Sequence, residues 1–126
     1  MTTLEAIRAE LAAAAGVTAL VGQRLYPMLM PQGATLPAVV LTAVSDVPLN
    51  AVEGLPAERL REVRLQVDAY ATTYLVAHQV AEAVNLVVAA LNRHDLSAQR
   101  EGSEDLYDDE AQLFRVSSDF TIWHAP

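Results

Sequence analysis

The sequence has 126 residues, of which 52% are hydrophobic, and it carries 16 acidic against 8 basic residues for a formal charge of -8. Its length predicts a single domain, residues 1–126, with one core. The lack of cysteine excludes disulfides and thiol nucleophiles. The acidic excess argues against sequence-specific nucleic-acid binding, and no apolar run approaches the ~20 residues of a transmembrane helix.

The first sixteen residues carry apolar side chains at helical spacing. They predict a helix from Thr3 to Ala14, with Thr2 or Thr3 as its N-cap and Gly16 as its stop signal. We expect one more helical turn after it, ending at Gly22. The N-terminus lacks the basic-then-apolar pattern of an export signal, so we expect a protein that is made and used without export.

An apolar stretch from Gln23 to Leu36 follows, and Pro27 and Pro31 interrupt it. Proline cannot continue a helix and removes a donor from a strand. We therefore expect an extended or turning connector between the first helix and the first strand.

Two strands are predicted after the connector. The β-branched residues from Ala38 to Val47 indicate a buried strand that Pro48 closes. From Val63 to Tyr70 apolar and polar residues alternate, which is typical of a half-buried strand in an antiparallel sheet. Between them, Asn50–Glu58 is expected to form a loop because it contains asparagine, glycine and proline.

The last third of the chain predicts one helix and the end of the sheet. Thr72 or Thr73 is expected to cap a long helix that ends near Asn92. The polar residues 94–113 indicate a weak strand and an exposed turn, and alternation from Phe114 to Ile122 indicates a long final strand. The fold class that results is α+β: an antiparallel sheet of about four strands with helices packed on one face.

Motifs for catalysis, cofactors or metals are not found in the sequence. His78, His94 and His124 do not pair at helical spacing, no G-x-S-x-G elbow occurs, and the five glycines are scattered. A Ser-His-Asp arrangement in the fold stays open at this point. We assign no catalytic, cofactor-binding or metal residue and expect a protein that is not an enzyme and has no cofactor.

An acidic run is the remaining candidate for a site. Its spacing does not fit a calcium loop, so it indicates a solvated hairpin tip, or an acidic loop that repels DNA or meets a basic partner surface. The mixed charges around Arg59, Arg61 and Arg64 indicate a solvent face rather than a nucleic-acid site. The run comprises Glu101, Glu104, Asp105, Asp108, Asp109 and Glu110.

Several segments in this order resemble the tail completion proteins, also called tail terminator or head-tail joining proteins, of long-tailed bacteriophages and phage-like gene transfer particles. The resemblance covers nearly the whole chain. The segments that carry it are VTALVGQRLYP (17–27), PQGATLPAVVL (31–41), REVRLQVDAYA (61–71) and DFTIW (119–123).

The resemblance implies a structural virion protein without catalysis. Such proteins form a ring, usually a hexamer, that caps the tail tube, ends tail growth and joins the tail to the head, with DNA passing through the lumen. The implied partners are further copies of the chain, the tail-tube protein and a head-neck connector or stopper protein. The implied location is the head-proximal end of the tail in a virion or phage-like particle, after assembly in the host cytoplasm.

The resemblance also gives two surfaces a role. In a ring, the apolar side chains of the connector are expected to contact a neighbouring subunit or the tail tube, unless they pack on the core of their own subunit. The acidic run is expected to face the lumen or a partner. The connector side chains concerned are Leu25, Tyr26, Met28, Leu29 and Met30.

Two alternatives remain beside the tail terminator. One is another neck component of the same kind of particle, such as a head-completion or stopper protein or a relative of the tail-tube protein. The other is a small α+β module that binds a small ligand and keeps a pocket.

Overall fold

The computed structural model describes residues 1–49 and 60–125, which form three helices and five strands. The predicted loop Asn50–Glu58 and Arg59 lie outside the described residues. In chain order the elements are α1 (Thr3–Ala12), α2 (Ala15–Val21), β1 (Leu25–Pro27), β2 (Ala38–Pro48), β3 (Arg61–Ala71), α3 (Tyr74–Ala89), β4 (Leu96–Asp108) and β5 (Leu113–His124).

The first helix begins at a capping box. The Thr2 side chain accepts a hydrogen bond from the backbone N–H of Glu5 (3.1 Å), and the Glu5 carboxylate accepts one from the N–H of Thr2 (3.2 Å). Two otherwise unpaired donors of the first turn are thereby satisfied.

The break between α1 and α2 lies earlier than predicted. Ala13 and Ala14 leave the helix, and Gly16 is part of α2 rather than a stop signal. The turn needs no left-handed residue, because Ala14 is extended (φ -90°, ψ 115°) and alanine adopts that conformation without strain. Gly22 ends α2 as predicted, with φ 59°, in the region that favours glycine.

The five strands form one sheet in the order β1-β2-β3-β5-β4. All neighbours are antiparallel except β1 and β2, which are parallel with Leu25 opposite Val39 and Pro27 opposite Leu41. The α+β prediction is confirmed, and the strand count is five because the connector contributes β1. This strand has three residues, too few to give a periodic signal.

The hydrophobic core lies between the three helices and one face of the sheet. Along β3 the side chains of Val63, Leu65 and Val67 are buried in this core, and those of Arg64 and Gln66 point to the other face. We call this second face the open face. Because the side-chain period of a strand is two, one row of β3 is covered by the helices and the other is not.

The long helix α3 supplies most of the cover. Thr73 caps it by accepting a hydrogen bond from the backbone N–H of Val76 (3.3 Å), and it ends at Ala89, slightly before the predicted end. Its buried stripe lies at helical spacing: Ala77, Val80, Ala81, Val84 and Val88. No helix of the described ranges is long and apolar enough to cross a membrane.

His124, at the end of β5, joins the sheet to α1. It is 7% exposed, and its Nδ1 lies 2.8 Å from the Thr3 hydroxyl. Burial lowers the pKa of His124 below its usual value, and the more distant Asp95 and Asp46 oppose that shift only in part. The native state therefore favours the neutral imidazole.

We expect Phe120→Ala to lower the free energy of unfolding by about 3–5 kcal/mol, because Phe120 has no exposed surface and the cavity cannot close fully. Urea denaturation measures the change. The matched control is Leu75→Ala, at a side chain 67% exposed, which should stay within about 0.5 kcal/mol. Equal losses in the two variants would contradict the assignment of the core.

We expect stability to fall as the pH drops below about 6.5, since the unfolded chain then binds a proton that buried His124 resists. The stabilisation is complete above the pKa that His124 has in the unfolded chain. It is lost as the pH falls towards the lower pKa that His124 has in the folded protein. His124→Gln should give a shallower slope of urea midpoint against pH from 7.5 to 5.5. The control Leu75→Gln, which replaces an exposed side chain by a group that does not titrate, should keep the wild-type slope.

Candidate functional site

The three histidines do not form a common site. His124 is buried against Thr3, His94 is exposed, and His78 lies half-exposed on α3. Among residues 1–49 and 60–125 no group of three or more histidine or acidic side chains has the geometry to hold a metal ion. The sites that the structure offers are surfaces, at the two edges and the open face of the sheet.

The connector divides into a buried part and an exposed part. Leu25 has no exposed surface and belongs to the core of its own chain, so it is not available to a partner. Tyr26 and Met30 are half-buried. Met28 and Leu29 are 66% and 78% exposed, and they remain as the candidate contact residues with the largest free surface.

Met28 and Leu29 form what we call the apolar protrusion. The N–H of Met28 donates to the carbonyl of Leu41 (2.8 Å), so the protrusion is fixed directly at the end of β1. Met28 has φ 67°, an unfavourable conformation for a side chain of its size. Arg24 supports the other end of the connector by donating from Nε to the carbonyl of Pro37 (2.9 Å).

The acidic run lies mostly on a strand, which corrects the prediction of an acidic loop. Its first four carboxylates belong to β4, an edge strand of 13 residues, and only Asp109 and Glu110 lie in the turn to β5. The strand alternation separates the acids. Glu104 lies opposite Ser117 on the open face, whereas Asp105 lies opposite Val116 on the helix face. The sequence indicates only a weak strand here, because both faces of β4 are largely exposed and it has no apolar row.

On the helix face Asp105 meets two residues of α3. It accepts a hydrogen bond from the Tyr74 hydroxyl (3.1 Å), and its other oxygen lies 4.0 Å from His78 Nε2. The hydrogen bond to Asp105 raises the pKa of Tyr74. Burial and the negative charge of Asp105 make smaller contributions in the same direction. This contact joins β4 to α3.

A buried carboxylate lies in the middle of the open face. Asp68 is 4% exposed, and its Oδ2 accepts a hydrogen bond from Gln66 (3.0 Å). Its Oδ1 has no hydrogen-bond partner and lies 4.0 Å from Arg115 Nε. Arg115 donates a hydrogen bond to the Tyr70 hydroxyl. This hydrogen bond and the negative charges of Asp68 and Tyr70 raise the pKa of the Arg115 guanidinium, although burial opposes the shift.

The open face as a whole is acidic. Among residues 1–49 and 60–125, strand register and contacts place six carboxylates on it against two arginines, Arg64 and Arg115. Because the excess charge on this surface is negative, the electrostatic potential in front of it is negative as well. The six are Glu62, Asp68, Glu101, Glu104, Asp108 and Asp119.

A groove lies between α3 and β4, on the helix face at the opposite edge from β1. Its volume is about 580 Å³, and its walls are mainly apolar, with Leu86, Ala89, Ala90 and Val116 among the lining residues. Leu86 is 77% exposed. No sequence signal points to this groove, because its walls come from elements that are far apart in the chain.

These features define a small α+β protein whose candidate sites are interaction surfaces. The sequence matches the family described as Tail completion protein gp17 over residues 5–125. The chain belongs to this family and is therefore a structural protein of phage-type tails. No curated protein matches the sequence significantly.

A solved structure shares the fold. A chain from the virion of a native gene transfer agent particle superposes with a TM-score of 0.77 at 20% sequence identity, over 98% of this chain and 94% of that one. At this identity the likeness establishes the arrangement of the helices and strands.

We expect Arg115→Met to lower the free energy of unfolding by about 1–3 kcal/mol, because the buried Asp68 carboxylate then loses its nearest cation. Urea denaturation measures the loss. Adding Asp68→Asn to this variant should recover part of it, since the amide carries no charge. If the double variant loses the sum of the two single losses, the two side chains are not coupled.

Proposed function

We propose that this chain is the tail terminator of a phage-like particle. It forms a ring, most simply a hexamer, that caps the tail tube, ends tail growth and joins the tail to the head. The observation that carries the proposal is the family match over residues 5–125. The partners are further copies of the chain, the tail-tube protein and a connector or stopper protein of the neck.

The open face supports a role as the wall of a DNA channel. Six carboxylates against two arginines repel phosphate, and a wall that attracted phosphate would retain DNA through counterion release. In the part of the chain that the structure describes, the helices pack only on the other face. In a ring with the open faces turned inward, passing DNA would meet a surface that does not bind it.

Ring formation also agrees with the distribution of exposed apolar side chains. A closed ring needs two different patches on each subunit. The apolar protrusion lies at the β1 edge of the sheet and the α3–β4 groove at the other edge. A location at the head-proximal end of the tail follows from the proposed function, and the solved structure with this fold comes from a gene transfer agent virion.

A ligand-binding module is the second candidate, and the groove is what favours it. Its volume of about 580 Å³ lies in the range of small-molecule pockets. Pockets of that kind usually combine an apolar lining with a few converging polar groups. Here most of the polar lining is already paired, since His78 and Glu82 contact each other at 3.6 Å and Arg100 donates to Ser103 (2.9 Å). Asn85 also lines the groove, and its buried Oδ1 has no hydrogen-bond partner among the described residues.

The test measures the mass of the purified protein in solution and images its particles. We expect light scattering to give about six times the monomer mass of 13.6 kDa at high concentration or in the presence of tail tubes, and negative-stain microscopy to show rings with a central hole. On isolated unfinished tails the protein should bind only at tube ends. A monomer or dimer that does not bind tube ends would refute the tail-terminator proposal. Binding to connectors alone would favour another neck component.

Met28→Ser with Leu29→Ser should reduce the ring fraction, because the two exposed side chains lose the apolar surface that a partner would cover. Light scattering at several concentrations measures the effect. The matched control is Leu75→Ser, at an exposed apolar side chain outside both patches. An unchanged ring in the double variant would assign the protrusion no role in assembly.

A further inference from the structure

We propose that copies of this chain join head to tail, with the apolar protrusion of one copy seated in the α3–β4 groove of the next. This inference rests on the proposed ring and extends it by naming the contact. Three independent observations carry it: the level of the two patches along the sheet, their apolar character and the charges beside them.

The protrusion and the groove lie at the same level on opposite edges of the sheet. Pro27 is opposite Leu41, Leu41 opposite Val67, Val67 opposite Ser118, and Ser118 opposite Ser103. Ser103 lines the groove, and the protrusion begins directly after Pro27. Four strand spacings, about 19 Å, separate the two edges. The protrusion of one subunit and the groove of a neighbour beside its β1 edge thus have matching positions along the strands.

The chemistry of the two patches is complementary. Met28 and Leu29 expose most of their apolar surface, and Leu86, Ala89, Ala90 and Val116 offer an apolar lining. Methionine and leucine are flexible side chains that fill irregular grooves well. Contact between the patches would remove both from water in one step.

The charges beside the two patches are opposite and also in register. Leu25 is opposite Val39, Val39 opposite Ala69, Ala69 opposite Val116, and Val116 opposite Asp105. Arg8 donates from Nε to the carbonyl of Leu25 (2.7 Å), so its guanidinium lies beside β1 at the level of Asp105.

Arg24 lies next to this position and donates to the carbonyl of Pro37. No carboxylate of the described residues lies within 4.0 Å of Arg8 or Arg24. At the other edge Glu104 and Asp105 are both exposed. Head-to-tail contact therefore sets arginines against carboxylates.

The same charges disfavour a symmetric pair. If two copies met through their β4 edges, two strands that each carry four carboxylates and one arginine would lie side by side, and like charges across a contact are destabilising. A heterologous contact avoids this repulsion and leaves a free protrusion at one end of a growing assembly and a free groove at the other. Such an assembly ends only when it closes.

Cross-linking tests the geometry, because the chain has no cysteine of its own. Leu29→Cys and Leu86→Cys change side chains that are 78% and 77% exposed. After treatment with a short bis-maleimide, a mixture of the two single variants should give a covalent dimer. The double variant should give a ladder up to the full ring. Each single variant alone should stay uncross-linked.

The control replaces Leu86→Cys by Leu75→Cys. Leu75 lies on the same helix, exposed, and about 16 Å away along its axis. It should not cross-link to Leu29→Cys, because it lies at the wrong level. Equal cross-linking at the two positions, or cross-linking of Leu29→Cys to itself, would overturn the proposed contact.

Charge exchange gives a second test that does not depend on a cross-linker. Arg8→Glu and Asp105→Arg should each weaken self-association about tenfold or more, because each sets like charges together. An equimolar mixture of the two variants should restore the ring, since every contact of an alternating ring then joins opposite charges. Thermal unfolding of each variant checks that it is folded.

The outcomes separate this inference from the proposed function. Rings seen by microscopy without the Leu29–Leu86 cross-link, or without rescue in the charge mixture, would overturn the contact and leave the tail terminator standing. A protein that stays monomeric at high concentration and with tail tubes would overturn both. The cross-linked ladder together with charge rescue would support the contact.

Discussion

The alternation of side chains along β3 is the constraint on which the rest of the fold depends. β3 is the central strand, with β2 on one side and β5 on the other along nearly its whole length. A slip of one residue would turn Val63, Leu65 and Val67 away from the helices. Their burial therefore fixes the register of both neighbours and, through β5, the register of β4. The helices can then bury apolar surface against only one face of the sheet.

This one-sided arrangement decides which surfaces are left for partners. The row of β3 that the helices do not cover must be compatible with water in a single subunit, and it carries Glu62, Arg64, Gln66 and Asp68. An open sheet also has two edges. One is the short strand β1, beside which Arg8 binds a backbone carbonyl, and the other is the long, acidic strand β4. Both edges thus carry charge, a common protection against uncontrolled strand pairing.

Periodicity was enough to predict the elements that contribute to the core. The alternation from Val63 to Tyr70 and from Phe114 to Ile122, and the helix that Thr73 caps, are confirmed. The 20% identity with the gene transfer agent chain agrees with a fold that depends on the burial pattern more than on particular residues. Elements without a one-sided pattern were predicted less well: β1 was missed because it has only three residues, and β4, predicted as a weak strand with an exposed turn, extends through most of the acidic run. The groove was missed because it forms only when α3 packs on the sheet.

The acidic edge has two consequences that follow from the same charges. An exposed edge of 13 residues offers unpaired backbone groups to any other strand, and identical edges of neighbouring copies would be the most abundant competitors. The edge carries four carboxylates and one arginine, so two such edges side by side repel each other. A partner surface that presents arginines avoids this repulsion. The same carboxylates of β4 thus disfavour the identical edge and favour a basic partner surface.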